Sequence, residues 1–311
     1  MDPSGRRILV TGATGFIGGA LVSRLLGQGA FVHAVAGKTG RRLATGPTWW
    51  HTDLLDPDAV RRLLSDVGPE VVYHLAGHVT GVQDLSVVIP SLRANLVTTV
   101  HLLTAAVESG NPRIILPASL EEPEPQGTWP VPSSPYAASK FAASTYARMF
   151  HALYGTPVVM LRTFLVYGPG QPDPKKLIPY VTQALLRGET PRLSSGSRPV
   201  DWVFIEDVVD ALVAVAFATG IEGRTLDVGT GTLTTVREIV ERLVRIVRPG
   251  TEPLFGAVAE RPMQQVRRAH PEESRALLGW EARTSLDDGL RKTVEWLRRA
   301  AAAPGAAEDG R

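Results

Sequence analysis

The chain has 311 residues, of which 44% are hydrophobic and 21% charged, which excludes a disordered chain and leaves room for one large core or a main domain with a smaller lobe. It contains no cysteine, so disulfides, thiolate metal sites, iron–sulfur ligation and cysteine nucleophiles are excluded, and no metal site is expected. Its 33 Lys and Arg stand against 31 Asp and Glu, and this near balance shows no concentrated basic patch of the kind nucleic acid requires. Pairs such as Arg267-Arg268 and Arg298-Arg299 sit among acids and alanines and read as solvated faces. No apolar run reaches the roughly 20 residues of a bilayer span, and no signal-like segment precedes the first strand; a cytoplasmic protein without a membrane partner is expected.

Arg7–Thr11 (RILVT) reads as a buried strand, Gly18–Gly27 as a helix ending at Gly27 or Gly29, and Ala30–Ala36 as a second strand. Asp56–Val67 predicts a helix with Pro57 near its start, Glu70–Leu75 a strand, and Leu92–Ser109 a long helix. Arg113–Leu116 is strand-like, Tyr136–Leu153 an alanine-rich helix and Pro157–Leu161 a strand, with a Pro/Gly-rich loop over Glu121–Pro135. Strands spaced by helices of this length predict an α/β fold, a Rossmann-like doubly wound parallel sheet covered on both faces.

After Tyr167-Gly168-Pro169-Gly170 the rhythm changes. Helices are predicted at Leu177–Leu186, Asp207–Ala218, Thr235–Val247 and Ser285–Ala302, with strands at Val200–Ile205 and Arg224–Val228. This half predicts a smaller, discontinuous C-terminal α/β substrate lobe from 166–199 and 231–300. The nucleotide-binding domain would span 1–165, with segments of about 200–230 returning to it and 301–311 as a tail.

Gly12, Gly15 and Gly18 lie directly after the first strand and run into a helix, the arrangement that lets backbone approach a pyrophosphate at a helix N-terminus. An acid normally ends the second strand and holds the adenosine ribose; here the segment reads AGKTGRR. Lys38, Arg41 and Arg42 would instead accommodate a 2′-phosphate, so NADP is favoured slightly over NAD. Asp53 is placed to accept from an adenine amine or to cap a helix.

Tyr136 and Lys140 are four apart on a helix and share a face. A lysine there can lower the phenol's pKa and hold a ribose hydroxyl, and Ser119, 17 residues earlier, can hydrogen-bond the same substrate oxygen. Taken singly, Tyr136 would read as a packing residue.

With TGATGFIGG (Thr11–Gly19), DLLD (Asp53–Asp56), HLAGH (His74–His78), SPYAASK (Ser134–Lys140), LRTFLVYGPG (Leu161–Gly170) and VDWVFIEDV (Val200–Val208), nearly the whole chain resembles the extended short-chain dehydrogenase/reductases, in their nucleotide-sugar epimerase/dehydratase branch. The resemblance implies Tyr136 as acid/base, Lys140 as ribose binder and phenol activator, and Ser119 as oxygen anchor. It implies further cofactor contacts at Thr14, Phe16, Ile17, Leu54, Leu75, Ala76, Gly77, Asn95 and Phe164. It also implies a nucleoside-diphosphate sugar between the lobes and a homodimer built as a four-helix bundle from the helices near 92–109 and 136–153.

Departures from the family pattern shape the expected reaction. Family dehydratases carry Thr-Asp-Glu or Thr-Ser-Glu where this chain has Ser119-Leu120-Glu121; Glu121 keeps a carboxylate, but Leu120 cannot protonate a leaving hydroxyl. Leu165 and Val200 replace an asparagine and an arginine that serve the diphosphate side, for which Arg198, Lys175 or Lys176 would substitute, and His78 is placed to touch substrate. The expectation is an NADP-leaning sugar-nucleotide 4-ketoreductase. An NAD-dependent 4-epimerase is the alternative, and a 4,6-dehydratase or an inactive scaffold is less expected.

Overall fold

The computed structural model describes residues 2–36, 46–124 and 129–302. The first half alternates β1 (Arg7–Thr11), α1 (Phe16–Gly27), β2 (Phe31–Ala36), β3 (Thr48–His51), α2 (Pro57–Val67) and β4 (Val71–His74). One continuous helix follows over Leu85–Glu108, made of a short 3₁₀ turn, α3 (Val88–Ser91), a π-helical stretch (Leu92–Val97) and α4 (Thr98–Glu108). Then come β5 (Arg113–Ser119), α5 (Pro135–Tyr154), β6 (Val158–Thr163), β7 (Leu165–Tyr167), α6 (Leu177–Leu186), β8 (Pro199–Phe204) and α7 (Ile205–Phe217). The last elements are β9 (Thr225–Val228), β10 (Leu233–Thr235), α8 (Val236–Val247), α9 (Pro271–Leu278) and α10 (Leu286–Ala302).

Seven strands form one parallel sheet in the order β3-β2-β1-β4-β5-β6-β9. Two separate apolar clusters cover it, one built with α1 and α7 and the other with α2, α4 and α5. That is why β1 and β4 carry unbroken apolar runs: Ile8, Leu9, Val10 and Tyr73 are all fully buried. The order reverses direction between β1 and β4, and the loops after these two strands open a crevice at their carboxyl ends, where ligands bind in such sheets.

Local chemistry sets the helix ends. Asp56 caps α2 by accepting from Asp58 N and Ala59 N, Pro57 opens the helix, and left-handed Gly68 closes it. Ser134 caps α5 through Ala137 N, with Pro135 in its first turn, and Thr235 with Glu238 forms a capping box on α8.

Several expectations are corrected. Helix α1 begins at Phe16 rather than Gly18, and β5 runs on to Ser119. The strand expected at Val200–Ile205 belongs to a second, three-stranded sheet, β10-β8-β7, so only α7 and β9 return to the main domain. Strands β3, β7 and β10 were not anticipated. The strand expected at Pro157–Leu161 runs on to Thr163; the chain leaves the main sheet at Phe164, whose N–H bonds Val228 O, and restarts as β7. The Leu85–Glu108 helix has a membrane-span length and a mean hydropathy of 1.3, contrary to the absence expected; its Leu102, Leu103, Ala105 and Ala106 are nonetheless sealed against the sheet as core. The fold also gathers basic residues that are scattered in sequence: Arg242, Arg245, Arg291 and Arg298 line one groove between α8 and α10, interleaved with Asp287 and Glu295.

Candidate active site

The β1–α1 turn is packed against the loop after β4 so closely that side chains are excluded. Gly12 has φ +67, and a Cβ there would lie 2.6 Å from Ala76 N. A Cβ on Gly18 would lie 2.1 Å from Gly12 O. Gly15 is the N-cap of α1 and offers no side-chain acceptor, so the first N–H groups of α1 face outward beside exposed Thr14. This is a backbone cradle with a helix N-terminus behind it, the shape and charge that a dinucleotide pyrophosphate needs. Phe16 and Ile17 begin α1 and pack on the core beneath the cradle.

A buried network holds the facing loop. His74 Nδ1 meets Thr11 Oγ1 at 2.9 Å, Thr11 Oγ1 accepts Ala76 N–H at 3.2 Å, and His74 Nε2 lies 3.4 Å from Thr98 Oγ1. Because Thr98 Oγ1 donates to Ala94 O, the His74 proton is assigned to Nε2. Burial, helped by the charge on Lys140, lowers the His74 pKa to about 3, so the ring stays neutral. Asn95 sits in the π-helical stretch with its amide fully used: it accepts from His78 N at 2.7 Å and donates to His78 O and to Ser139 Oγ. It therefore fixes Gly77 and His78 against α5, and its influence on a cofactor passes through that loop. His78 itself bonds Ser91 Oγ at 3.2 Å and is half-buried.

Among the other expected cofactor residues, Leu54 packs on the second apolar cluster and offers its carbonyl to His101, Leu75 packs on the first, and buried Phe164 lies over Gly229. Asp53 is exposed and closes a turn through Leu55 N, while the helix cap is Asp56. Lys38 and Arg41, with Arg42, lie outside the described residues.

Ser119 ends β5, and Tyr136 and Lys140 lie on the first two turns of α5, partly exposed at the same carboxyl edge of the sheet. The Ser119 hydroxyl reaches the Tyr136 phenol and favours its ionised form, but burial outweighs it and the charges of Glu122 and Glu121 oppose it; the phenol is pushed up to about 12. Burial also lowers Lys140 to about 8, with Glu122 acting in the opposite direction. The expectation that Lys140 brings the phenol towards neutrality is thus corrected: burial and two acids dominate here, and the phenol is held protonated.

The loop after Ser119 is tied to the smaller lobe. Arg198 Nη2 reaches Glu121 Oε1 at 3.0 Å and Gln265 O at 2.7 Å. Arg267 bonds the Glu122 carbonyl and the Glu124 carboxylate, and its side chain is only 12% exposed, so it is packed against this loop and is not the solvated face expected. Arg261 lies against Gly81, while Gln83 bridges Ser133 O and Pro262 O. Lys175 is exposed in a turn closed by Asp173 and makes no ion pair among the described residues. Leu120 is buried in the core, and Glu122 is buried as well. His74 was given no role by sequence reasoning although it stands inside the HLAGH motif, and Arg267 was read only as part of a solvated face.

A glycine cradle at the switch point of a parallel sheet, with Ser119, Tyr136 and Lys140 at the carboxyl edge of the same sheet, is the architecture of the Rossmann-like α/β class. The pattern of the NAD dependent epimerase/dehydratase family matches residues 8–229, and the chain belongs to that family. It is 34% identical to a UDP-glucose 4-epimerase from Mycolicibacterium smegmatis, with 94% of this chain and 98% of that protein covered. A dTDP-glucose 4,6-dehydratase from Haemophilus influenzae is 27% identical, over 93% of this chain and 97% of that one. Among solved structures, MoeE5 in complex with UDP-glucose and NAD superposes with a TM-score of 0.83 at 32% identity, covering 95% and 99% of the two chains.

Proposed function

We propose that the protein is a cytoplasmic nucleoside-diphosphate-sugar 4-epimerase that uses NAD and acts on a UDP-hexose. The observation that carries this reading is the state of the loop after Ser119. Leu120 is buried and Glu121 is committed to Arg198, so no free acid and base stand ready for elimination of water. Hydride exchange at one carbon remains, served by Ser119, Tyr136 and Lys140. The likeness to a UDP-glucose 4-epimerase over nearly the full length of both chains supports it.

The cradle of Gly12, Gly15 and Gly18 would hold the pyrophosphate, and Lys140 the nicotinamide ribose. A bound nicotinamide supplies the hydride acceptor and donor. Ser119 fixes the C4 oxygen. Oxidation of the alcohol requires the Tyr136 phenolate, formed by loss of the phenol proton to solvent and favoured by the positive charge that a bound NAD⁺ would bring; it takes the C4 hydroxyl proton and returns it when the ketone is reduced. Arg261 and Arg267 would supply the positive wall for the diphosphate, with Arg198 beside them holding Glu121. Leu85, Ile89, Leu92, Tyr146 and Leu153 are exposed apolar residues on the Leu85–Glu108 helix and α5, which fits a homodimer made through these helices.

A second reading, the 4-ketoreductase expected first, is favoured by the protonated Tyr136, which is ready to give a proton to a keto oxygen. Two measurements separate the readings. UDP-glucose and UDP-galactose are incubated without added cofactor, and the nucleotide released on denaturation is identified by mass spectrometry. Interconversion with retained NAD⁺ supports the epimerase. An empty protein that consumes NADPH with a nucleotide-linked 4-keto sugar would replace it with the reductase. In either case Tyr136→Phe should lower turnover by about 10²-fold or more while sparing NAD⁺ binding.

A further inference from the structure

One buried ionisable group lies against these elements with no part in the chemistry above. Glu122 is only 5% exposed. Its Oε1 accepts the Ser119 N–H at 2.7 Å, and its own N–H donates to Ser119 O at 3.1 Å, so the side chain folds back over the end of β5. The Ser144 hydroxyl reaches the carboxylate from α5. Tyr136, Lys140 and Ser144 follow one another at intervals of four and form one stripe along that helix. Lys140 and Ser144 also line one small cavity together with His74, Ala76 and Leu116, so the carboxylate that Ser144 meets borders the cavity that Lys140 enters.

The groups around Glu122 come from every packed element. Lys140 of α5 and Arg162 of β6 favour its charge, Arg162 being also bonded to Asp227 of β9 at 2.8 Å. Arg267, before α9, donates to the Glu122 carbonyl, Glu121 precedes it on the loop, Tyr136 heads the stripe, and His74 of β4 is neutral. Burial works against a carboxylate here and raises its pKa, so an isosteric amide or an apolar side chain would pack at lower desolvation cost.

We propose that Glu122 is a positioning residue of this active site, its buried carboxylate fixing the Ser119 peptide and serving as the counter-charge that holds the Lys140 ammonium in place for the cofactor ribose. The inference rests on the role given to Lys140 above and holds for epimerase and reductase alike. A fixed negative charge beside the stripe stabilises every protonated group on it, so its removal should make Lys140 lose its proton at lower pH.

The test is the affinity for NAD⁺, followed by isothermal titration calorimetry from pH 6 to 9.5, which needs no sugar substrate. In the wild-type protein affinity should weaken as pH rises through about 8. Glu122→Gln keeps the shape and the acceptor for Ser119 N–H but removes the charge; the break should move down by about one pH unit, weakening binding at pH 8 about fivefold. Glu122→Leu should move it the same way. An unmoved break in a variant that melts cooperatively would overturn the proposal, as would failure of both variants to fold, which would make Glu122 a purely structural residue. Lys140→Met serves as the control for the reading beneath: if it leaves NAD⁺ affinity and its pH dependence unchanged, the role of Lys140 falls, whatever Glu122 does.

Discussion

Replacing Asp201 by asparagine should loosen the wall of the cleft, by an amount that follows from four hydrogen bonds. Asp201 is fully buried at the end of the small sheet. Its Oδ1 accepts Thr230 N–H at 2.8 Å and Thr230 Oγ1–H at 2.7 Å, and its Oδ2 accepts Gly231 N–H at 2.8 Å and Ala269 N–H at 3.1 Å. Asparagine offers one acceptor oxygen and an NH₂. With the NH₂ towards Thr230, the hydroxyl can rotate to accept, and one backbone N–H is orphaned; with it towards Gly231, two are. The cheaper arrangement loses about 1–3 kcal/mol for the orphaned donor, and the remaining bonds lose the help of the charge, for a total of about 2–5 kcal/mol. At about 2–4 °C per kcal/mol, the melting temperature should fall by about 5–15 °C, read by circular dichroism. Arg198 lies three residues before Asp201 and Arg267 two before Ala269, so KM for the nucleotide sugar should rise with it. A fall below 2 °C with unchanged KM would refute the claim that this carboxylate organises the wall.

Three further outcomes are expected. Gly12→Ala places a Cβ 2.6 Å from the Leu75–Ala76 backbone at a positive φ, so NAD⁺ binding, measured by calorimetry, should be lost; affinity within threefold of wild type would refute the tight packing. Lys140 is lowered from 10.5 to about 8, so between these values the unfolded chain binds more protons than the folded one, and this group's contribution to stability rises with pH across that window. Turnover should therefore fall above pH 8 without a parallel fall in melting temperature from this residue; a joint decline beginning at pH 8, absent in Lys140→Met, would contradict the sign. Glu121→Gln breaks the pair with Arg198 and should change KM more than kcat, whereas loss of turnover of 10³-fold or more would make Glu121 part of the chemistry.

Much of the main domain was legible because parallel sheets buried on both faces require unbroken apolar strands, and those runs are visible one at a time. That Tyr136 and Lys140 share a helix face was legible for a similar reason: they are one helical turn apart, and helix geometry alone brings them together. Strand β8 was assigned to the main sheet because nothing in VDWVF distinguishes a strand of one sheet from a strand of another. Nothing in the local sequence shows that Glu122 is buried, because its burial depends on the return of its side chain to Ser119 N.

Residue spacing by itself determined the glycine turn into α1, the Tyr136–Lys140 stripe and the alternation that builds the seven-stranded sheet. These are interactions within one helical turn or one βα unit, where chain connectivity sets the distance. The tertiary structure alone decided that Arg198 holds Glu121, that Arg267 holds the Glu122 carbonyl, and that burial lowers the His74 pKa and raises that of the Tyr136 phenol. The two arginine contacts join segments 77 and 145 residues apart in the chain, and the two pKa shifts follow from burial, which no local stretch of sequence reports.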